Sequence, residues 1–233
     1  MESRSLTLPA RFQLTKPDPD DPVDYYYRPL TARLYRARLR LALDALGKER
    51  FETLLEVGYG SGIFVPELSR HCNHIAAIDL HGQADRISAM LSDLGIDADL
   101  RQASLFQMPF ADGSFDALVC LSVLEHLREL DAALSSLRRI LNDDGVAILG
   151  FPVRNALTDR FFRLVGYDPR AIHPSSHNDI LAAARRSGGF MIDRVAHMPS
   201  FLPVSMSAYV VCRLRAVWQV RAASPLPELR PAD

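Results

Sequence analysis

Apolar residues recur along this chain with two different periods, and the change from one to the other divides it. Between residues 30 and 46, Leu30, Leu34, Ala37, Leu41 and Ala45 return every three or four positions, which predicts an amphipathic helix stopped by Gly47. Its opposite face carries Arg33, Arg36 and Arg40 and reads as solvated. Beyond Gly47, short apolar runs alternate with helical stretches. Runs near 53–58, 74–80, 98–103, 115–121 and 145–151 predict buried strands, and 63–71, 83–94 and 129–141 predict the helices between them. Leu130, Ala133, Leu134, Leu137 and Leu141 share one face of the last helix. Five strands joined by crossovers predict an α/β fold with a doubly wound parallel sheet. An alanine-rich helix near 180–189 follows, then two runs at 190–198 and 207–215. These lie close enough together to pair as an antiparallel hairpin at one edge, giving a sheet of about seven strands.

Both ends of the chain break the pattern. Residues 1–24 combine Pro9, Pro17, Pro19 and Pro22 with Asp18, Asp20, Asp21 and Asp24, a mixture that sustains no helix and offers little to bury. It reads as a flexible arm, without the apolar centre of a secretory signal. Residues 223–233 read as a disordered tail.

With 48% hydrophobic and 24% charged residues over 233 positions, the chain has the composition of a globular protein, which excludes a disordered or collagen-like one. A net charge of -1 gives no global attraction to nucleic acid or to an anionic membrane. No window approaches the roughly 20 apolar residues of a membrane span. Cys72, Cys120 and Cys212 are odd in number and far apart, which argues against a disulfide framework or a paired-cysteine metal cluster and suits a reducing, cytoplasmic setting. His71 and His74 flank Cys72 but straddle a helix end and a strand start, so no metal site is expected there.

The chemistry begins at the segment LLEVGYGSGIF, where a buried strand runs into a glycine-rich turn and then a helix. Gly58 and Gly60 permit backbone angles and close ligand approach that a side chain would block, and Gly62 lets the helix pack tightly. Such a turn holds a small molecule at the carboxyl end of the first strand. Glu56 stands two residues before the first glycine, and Asp79 ends the second strand about twenty residues later, placed to accept from both hydroxyls of a ribose. A dinucleotide loop wants its third glycine one position further on, where this chain has Ile63.

The spacing instead resembles the Glu/Asp-x-Gly-x-Gly-x-Gly loop of class I S-adenosylmethionine-dependent methyltransferases. MPFADGSFDALVCLSVLEHL, residues 108–127, is similar to a stretch of the family branch that includes small-molecule, quinone and lipid methyltransferases, and LRRILNDDGVAILGFP, residues 137–152, is similar to that branch's turn into its fifth strand. The resemblance covers about residues 50–152. It implies a Rossmann-like fold, S-adenosyl-L-methionine as cofactor, and the following roles. Gly58, Tyr59, Gly60, Ser61 and Gly62 line the methionine portion, with Glu56 balancing its ammonium group. Asp79 binds the ribose, Leu80 flanks the adenine, and Ser104 and Leu105 meet the adenine edge. The family commonly has Asp where this chain has Ser104, and a hydroxyl accepts less strongly than a carboxylate. Leu121 and Ser122 pass the sulfonium side, with Glu125 and His126 opening the next helix and read first as structural.

In this reading residues 25–222 form one domain, with a helical lid over 25–47 that includes Tyr25, Tyr26 and Tyr27. A cofactor-binding core over 50–152 follows, then a substrate-side insertion at about 153–178, and a C-terminal helix and edge strands over 179–222. The insertion carries Phe161, Phe162, Leu164, Val165 and Tyr167, apolar surface suited to an organic substrate. Methyl transfer from a sulfonium is an in-line displacement and needs no enzyme nucleophile. A hydroxyl or protonated amine acceptor gains from a base, for which His126, His173 and His177 are the candidates. The expected acceptor is a small organic or lipid-like molecule. Arg213, Arg215 and Arg221 alternate with Val210, Val211, Leu214, Val217, Trp218 and Val220, a mixture that admits peripheral membrane contact but is explained more cheaply by an edge strand and a docked helix. Two other readings stay open: a non-catalytic partner subunit of the same fold, and a nicotinamide-dependent oxidoreductase. Nucleic-acid methylation is disfavoured by the absent Asn/Asp-Pro-Pro-Tyr tetrapeptide.

Overall fold

The computed structural model describes residues 6–19, 21–155 and 173–217. Seven strands form one sheet: β1 (Phe51–Val57), β2 (Cys72–Asp79), β3 (Ala98–Gln102), β4 (Phe115–Leu121), β5 (Leu141–Pro152), β6 (Phe190–Met198) and β7 (Tyr209–Ala216). Their order is β3-β2-β1-β4-β5-β7-β6, parallel from β3 to β5, with β7 antiparallel to β5 and β6 antiparallel to β7. The expected doubly wound sheet and its antiparallel edge are both present. The order turns back between β1 and β4, so the carboxyl ends of these two strands open the crevice in which such sheets bind ligands.

Among the described residues, five α-helices cover the sheet: α1 (Ala32–Leu46), α2 (Val65–Leu68), α3 (Ala84–Asp93), α4 (Leu130–Ile140) and α5 (His177–Arg186). One apolar layer joins α4 and α5 to the sheet through Leu134, Leu137, Ile140, Ile180 and Phe151; the other joins α1 and α3 through Leu43, Leu46, Ile87, Leu91 and Ile148. The helix expected over 63–71 is a single turn, α2, followed by a 3-10 turn at Ser69–His71 that leads straight into β2.

Two expectations are corrected at the N-terminal side. The described part of the arm is not bare: Leu14 and Val23 are buried in the second layer, and the 3-10 turn Pro22–Tyr26 is capped by Asp21, whose carboxylate accepts from the Val23 N–H at 2.8 Å. Helix α1 is also rotated relative to the predicted stripe. Leu30 and Leu34 are exposed, and the face turned inward carries Leu39, Ala42, Leu43 and Leu46 beside Ala45, the one member of the predicted stripe that is buried. At its end Gly47, at φ +88, closes the helix, and the buried Arg213 donates to the carbonyls of Ala45 (3.0 Å) and Leu46 (2.7 Å). Arg213 therefore completes α1 and faces no membrane. Trp218, Val220, Arg221 and the insertion's Phe161, Phe162, Leu164, Val165 and Tyr167 lie outside the described residues.

Candidate functional site

The glycine turn after β1 owes its shape to three left-handed residues, Gly58 at φ +82, Gly60 at φ +51 and Gly62 at φ +72. Each has a neighbour that a Cβ would strike. A Cβ on Gly58 would overlap Val123, one on Gly60 would come 2.7 Å from Asp21 Oδ2, and one on Gly62 would come 2.8 Å from Ile87 on α3. The turn is thus pressed between the chain after β4, the N-terminal segment and α3.

Asp79 ties the turn to β2. Its Oδ2 accepts from the Gly60 N–H at 2.8 Å, and its Oδ1 accepts from the Leu80 N–H at 2.7 Å. His81 Nε2 donates to the Gly60 carbonyl at 2.9 Å, and its ring stands edge-on to Tyr59 at 4.8 Å. Asp79 does not cap α3, whose N-cap is Gln83.

Around this turn lies a cavity of about 510 Å³. Every cofactor-side residue singled out from the sequence lines it except Gly62, which packs behind the turn: Glu56, Gly58, Tyr59, Gly60, Ser61, Asp79, Leu80, Ser104, Leu105 and Leu121. Glu56 is buried at its floor with Oε2 lacking any hydrogen-bond partner among the described residues. Burial, with the nearby Asp79 charge adding to it, pushes the Glu56 pKa up to about 8. Leu80 is 72% exposed at the rim, whereas Leu105 is buried. The Ser104 hydroxyl is already engaged, capping the 3-10 turn Leu105–Gln107 by accepting from the Phe106 N–H at 3.2 Å.

Of the opposite wall, the sequence points to Tyr26, within the expected lid over 25–47, but not to Asp21 or Arg38. Asp21, Tyr26 and Arg38 line that wall. Arg38 Nε donates to the Tyr26 hydroxyl at 3.1 Å, Nη2 makes a second bond to the same oxygen, and Nη1 reaches Ser122 Oγ at 3.4 Å. The guanidinium also lies over the rings of Tyr35 (4.4 Å), Tyr26 (5.1 Å) and Tyr209 (5.9 Å). Ser122, at φ +57, in turn pairs with the Tyr209 hydroxyl at 2.9 Å. All of Arg38's hydrogen-bond partners among the described residues are hydroxyls, so a permanent cation faces the cavity without a carboxylate bonded to it. The arginine spacing on α1 signals a solvated face at Arg33, Arg36 and Arg40, and it gives no sign that Arg38 turns inward.

The three candidate bases separate. His126 lines the cavity. His173 stands beside it, the two rings T-shaped at 5.1 Å, and burial together with the His126 and Arg154 charges pushes its pKa down to about 4. His177 is not among the residues lining the cavity; it is buried at the first turn of α5, and its Nδ1 has no hydrogen-bond partner among the described residues. Glu125 and His126 form a 3-10 turn, Leu124–His126, separate from α4, which corrects their expected place at a helix start. Burial lifts the Glu125 pKa to about 8.

The sequence model of the family described as Methyltransferase domain matches residues 55–149, the stretch that runs from the end of β1 into β5 and includes the glycine turn, Asp79 and the turn at Glu125. Over this stretch the chain is similar to that family. Among curated proteins, the ubiquinone biosynthesis O-methyltransferase of Pseudomonas paraeruginosa is 31% identical over 107 residues, 45% of this chain and 46% of that one. The ubiquinone/menaquinone biosynthesis C-methyltransferase UbiE of Haemophilus ducreyi is 29% identical over 125 residues, 50% of this chain and 47% of that one. The matched part of the chain thus spans about half the length of these relatives. Among solved structures, the N-methyltransferase NodS of Bradyrhizobium japonicum, in complex with S-adenosyl-L-homocysteine, superposes with a TM-score of 0.63 at 18% identity, covering 86% of this chain and 94% of that one. The geranyl diphosphate C-methyltransferase of Streptomyces coelicolor gives 0.66 at 18% identity, covering 86% and 88%. At such identities the superpositions speak for the fold alone.

Among the described residues, no helix is long and apolar enough to cross a membrane.

Proposed function

We propose that the protein transfers a methyl group from S-adenosyl-L-methionine to a small organic or lipid-like acceptor. The observation that carries this reading is the partnerless Glu56 carboxylate oxygen at the floor of the cavity that the glycine turn and Asp79 line. A buried carboxylate without a partner is costly, and a ligand ammonium removes that cost. Across the cavity, Arg38 offers a fixed cation to a ligand carboxylate. An amino acid portion with both charges therefore matches the two walls. Gly58, Tyr59, Gly60, Ser61 and Gly62 shape the space for it, Asp79 accepts from ribose hydroxyls, and Leu80, Ser104 and Leu105 meet the adenine.

The cofactor supplies an electrophilic methyl on a sulfonium. What the chain contributes is position: Leu121 and Ser122 at the end of β4 bound the acceptor's approach, and the tyrosines around Arg38 exclude water from that side. The acceptor enters from the side of His126 and His173. A cytoplasmic setting, suggested by the cysteine usage, belongs to the same reading.

Calorimetric titration of ligand-free protein with S-adenosylhomocysteine and with nicotinamide dinucleotides tests this directly. Saturable binding of the sulfur compound alone is the expected result. Binding of the dinucleotide alone would replace the reading with an oxidoreductase, and binding of neither would leave a cofactor-free subunit.

A further inference from the structure

We propose that Glu125, His126 and His173 form a binding site for a divalent transition-metal cation at the acceptor end of the cavity. The site's place at that end rests on the methyl-transfer reading; the ligand set itself does not.

One ligating atom from each of the three residues lies within 4.8 Å of the others. The two histidines are far apart in the chain, and backbone bonds bring them together. The Ser175 N–H donates to the Glu125 carbonyl at 3.2 Å, and the Ser175 hydroxyl donates to the Leu127 carbonyl. The stretch before α5 is thereby laid against the turn Leu124–His126. A second observation points to a ligand: Glu125 is only 2% exposed, and its Oε2 has no hydrogen-bond partner among the described residues. A carboxylate so placed calls for a positive partner at that spot.

The donor set selects the ion. Two imidazoles and one carboxylate suit zinc, manganese, iron, cobalt or nickel, whereas magnesium and calcium prefer all-oxygen cages. Donors bound at about 2.1 Å stand roughly 3–3.5 Å apart, so the cluster must tighten by up to roughly 1.5 Å. His126 is exposed and can supply that movement.

Three protein ligands leave positions open toward the cavity that His126 lines. A hydroxyl of the acceptor bound there loses its proton to solvent more readily, because the cation stabilises the oxyanion. That oxygen then forms a bond to the methyl carbon as the carbon–sulfur bond breaks, and the electron pair of the broken bond stays on sulfur as a neutral thioether. Acceptor hydroxyl and sulfonium thus become methyl ether, thioether and one released proton. In this arrangement His126 and His173 serve as ligands, so no protein base is required.

The test uses the full chain, stripped with a chelator and dialysed, titrated calorimetrically with zinc chloride and, separately, with cobalt chloride followed by visible absorption. One equivalent of zinc is expected, with cobalt giving the ligand-field bands of a nitrogen- and oxygen-bound ion. His126→Ala and His173→Ala should each weaken binding by about 100-fold or more, since even outer-shell changes cost 10- to 100-fold. His126→Ala changes an exposed side chain, so a folded variant is expected, and circular dichroism checks it. His74→Ala, at an exposed histidine beside Glu52, should leave binding unchanged. Absence of saturable binding overturns the site, as does an equivalent lost in His74→Ala but retained in His126→Ala. S-adenosylhomocysteine is titrated in parallel: cation binding without it would sink the methyl-transfer reading and keep the site, and its binding without a cation would do the reverse.

Discussion

The two ends of the cavity are built by different means. At the cofactor end, Glu56, the glycine turn, Asp79, Leu80, Ser104 and Leu105 sit at the carboxyl ends of β1, β2 and β3, each group supplied by a few consecutive residues. The opposite wall, from the Arg38 cation across to the acceptor side, is assembled from Tyr26, Arg38, Ser122, the turn at Glu125, His173 and Tyr209, which come from separate segments and meet only in the folded chain. The first end is a local property of strand–turn–helix units; the second is tertiary. Its chemistry depends on which side of α1 faces inward and on how the stretch before α5 is tied down.

The largest effect is expected where the two ends touch. Gly58 sits at φ +82 with Val123 against its Cα, so Gly58→Ala strains the backbone and pushes Val123, two residues before Glu125. Forcing a non-glycine residue into this region costs on the order of 1–3 kcal/mol. Thermal unfolding should record that loss, and calorimetry should show S-adenosylhomocysteine binding reduced by about 100-fold or more as the turn shifts. A folded variant with normal affinity would mean that the turn does not shape the ligand space.

Arg38→Met separates the ends more finely. A charge-assisted hydrogen bond contributes about 1.5–3 kcal/mol, so S-adenosylhomocysteine affinity should fall roughly 10- to 150-fold. The methionine packs among Tyr26, Tyr35 and Tyr209, so the melting temperature should hold or rise. Affinity within twofold of wild type would remove Arg38 from the cofactor's carboxylate. Asp79→Ala deletes the acceptor of the Gly60 N–H along with the proposed ribose contact. Its loss of affinity should be similar, again about 1.5–3 kcal/mol, but accompanied by a lower melting temperature.

Asp79 leaves a trace in the sequence pattern and Arg38 does not, for a physical reason. The order of strands and helices follows from apolar periodicity, which burial enforces along each segment. The same logic misplaced the inward face of α1, because it counts an arginine as solvent-facing, whereas here three tyrosine rings and two hydroxyls receive the guanidinium. The arm is a related case: its prolines and aspartates signal no helix, yet Leu14 and Val23 are sufficient to dock it, and Asp21 then lies over Gly60. No local pattern could have joined His173 to His126. Their proximity depends on Ser175 bonding to the backbone of Glu125 and Leu127, nearly fifty residues away.

Glu56 gives a pH signature peculiar to the cofactor end. Its carboxyl ionises near 4.5 in an unfolded chain and near 8 in the folded one, so between these values the folded state holds a proton that the unfolded state has lost. The Glu56 contribution to stability therefore falls as pH rises through that window and levels off above about 8. A ligand ammonium requires the ionised form, so binding below pH 8 releases this proton and S-adenosylhomocysteine affinity should climb between pH 6 and 8, by up to about tenfold per unit for one proton. Glu56→Gln should flatten both dependences. A slope that survives in the variant would assign the proton elsewhere.

The smallest effect is expected at Ser104, where the sequence departs from the family it resembles and the structure finds the hydroxyl already in use. Ser104→Ala removes the cap on the Phe106 N–H, and losing such a cap costs about 0.5–2 kcal/mol of stability. Affinity for S-adenosylhomocysteine should change less than threefold, because a hydroxyl spent on the backbone contributes little to the adenine. Ser104→Asp sharpens the point: one carboxylate oxygen can keep the cap while the other accepts from the adenine amino group, and charged acceptors form the stronger bonds. A gain of about 1 kcal/mol, roughly fivefold in affinity, is expected from that extra charge-assisted bond. Equal affinities for the wild type and Ser104→Asp would mean that the adenine amino group does not approach this position, and the adenine would then have to lie closer to Leu80 and Leu105.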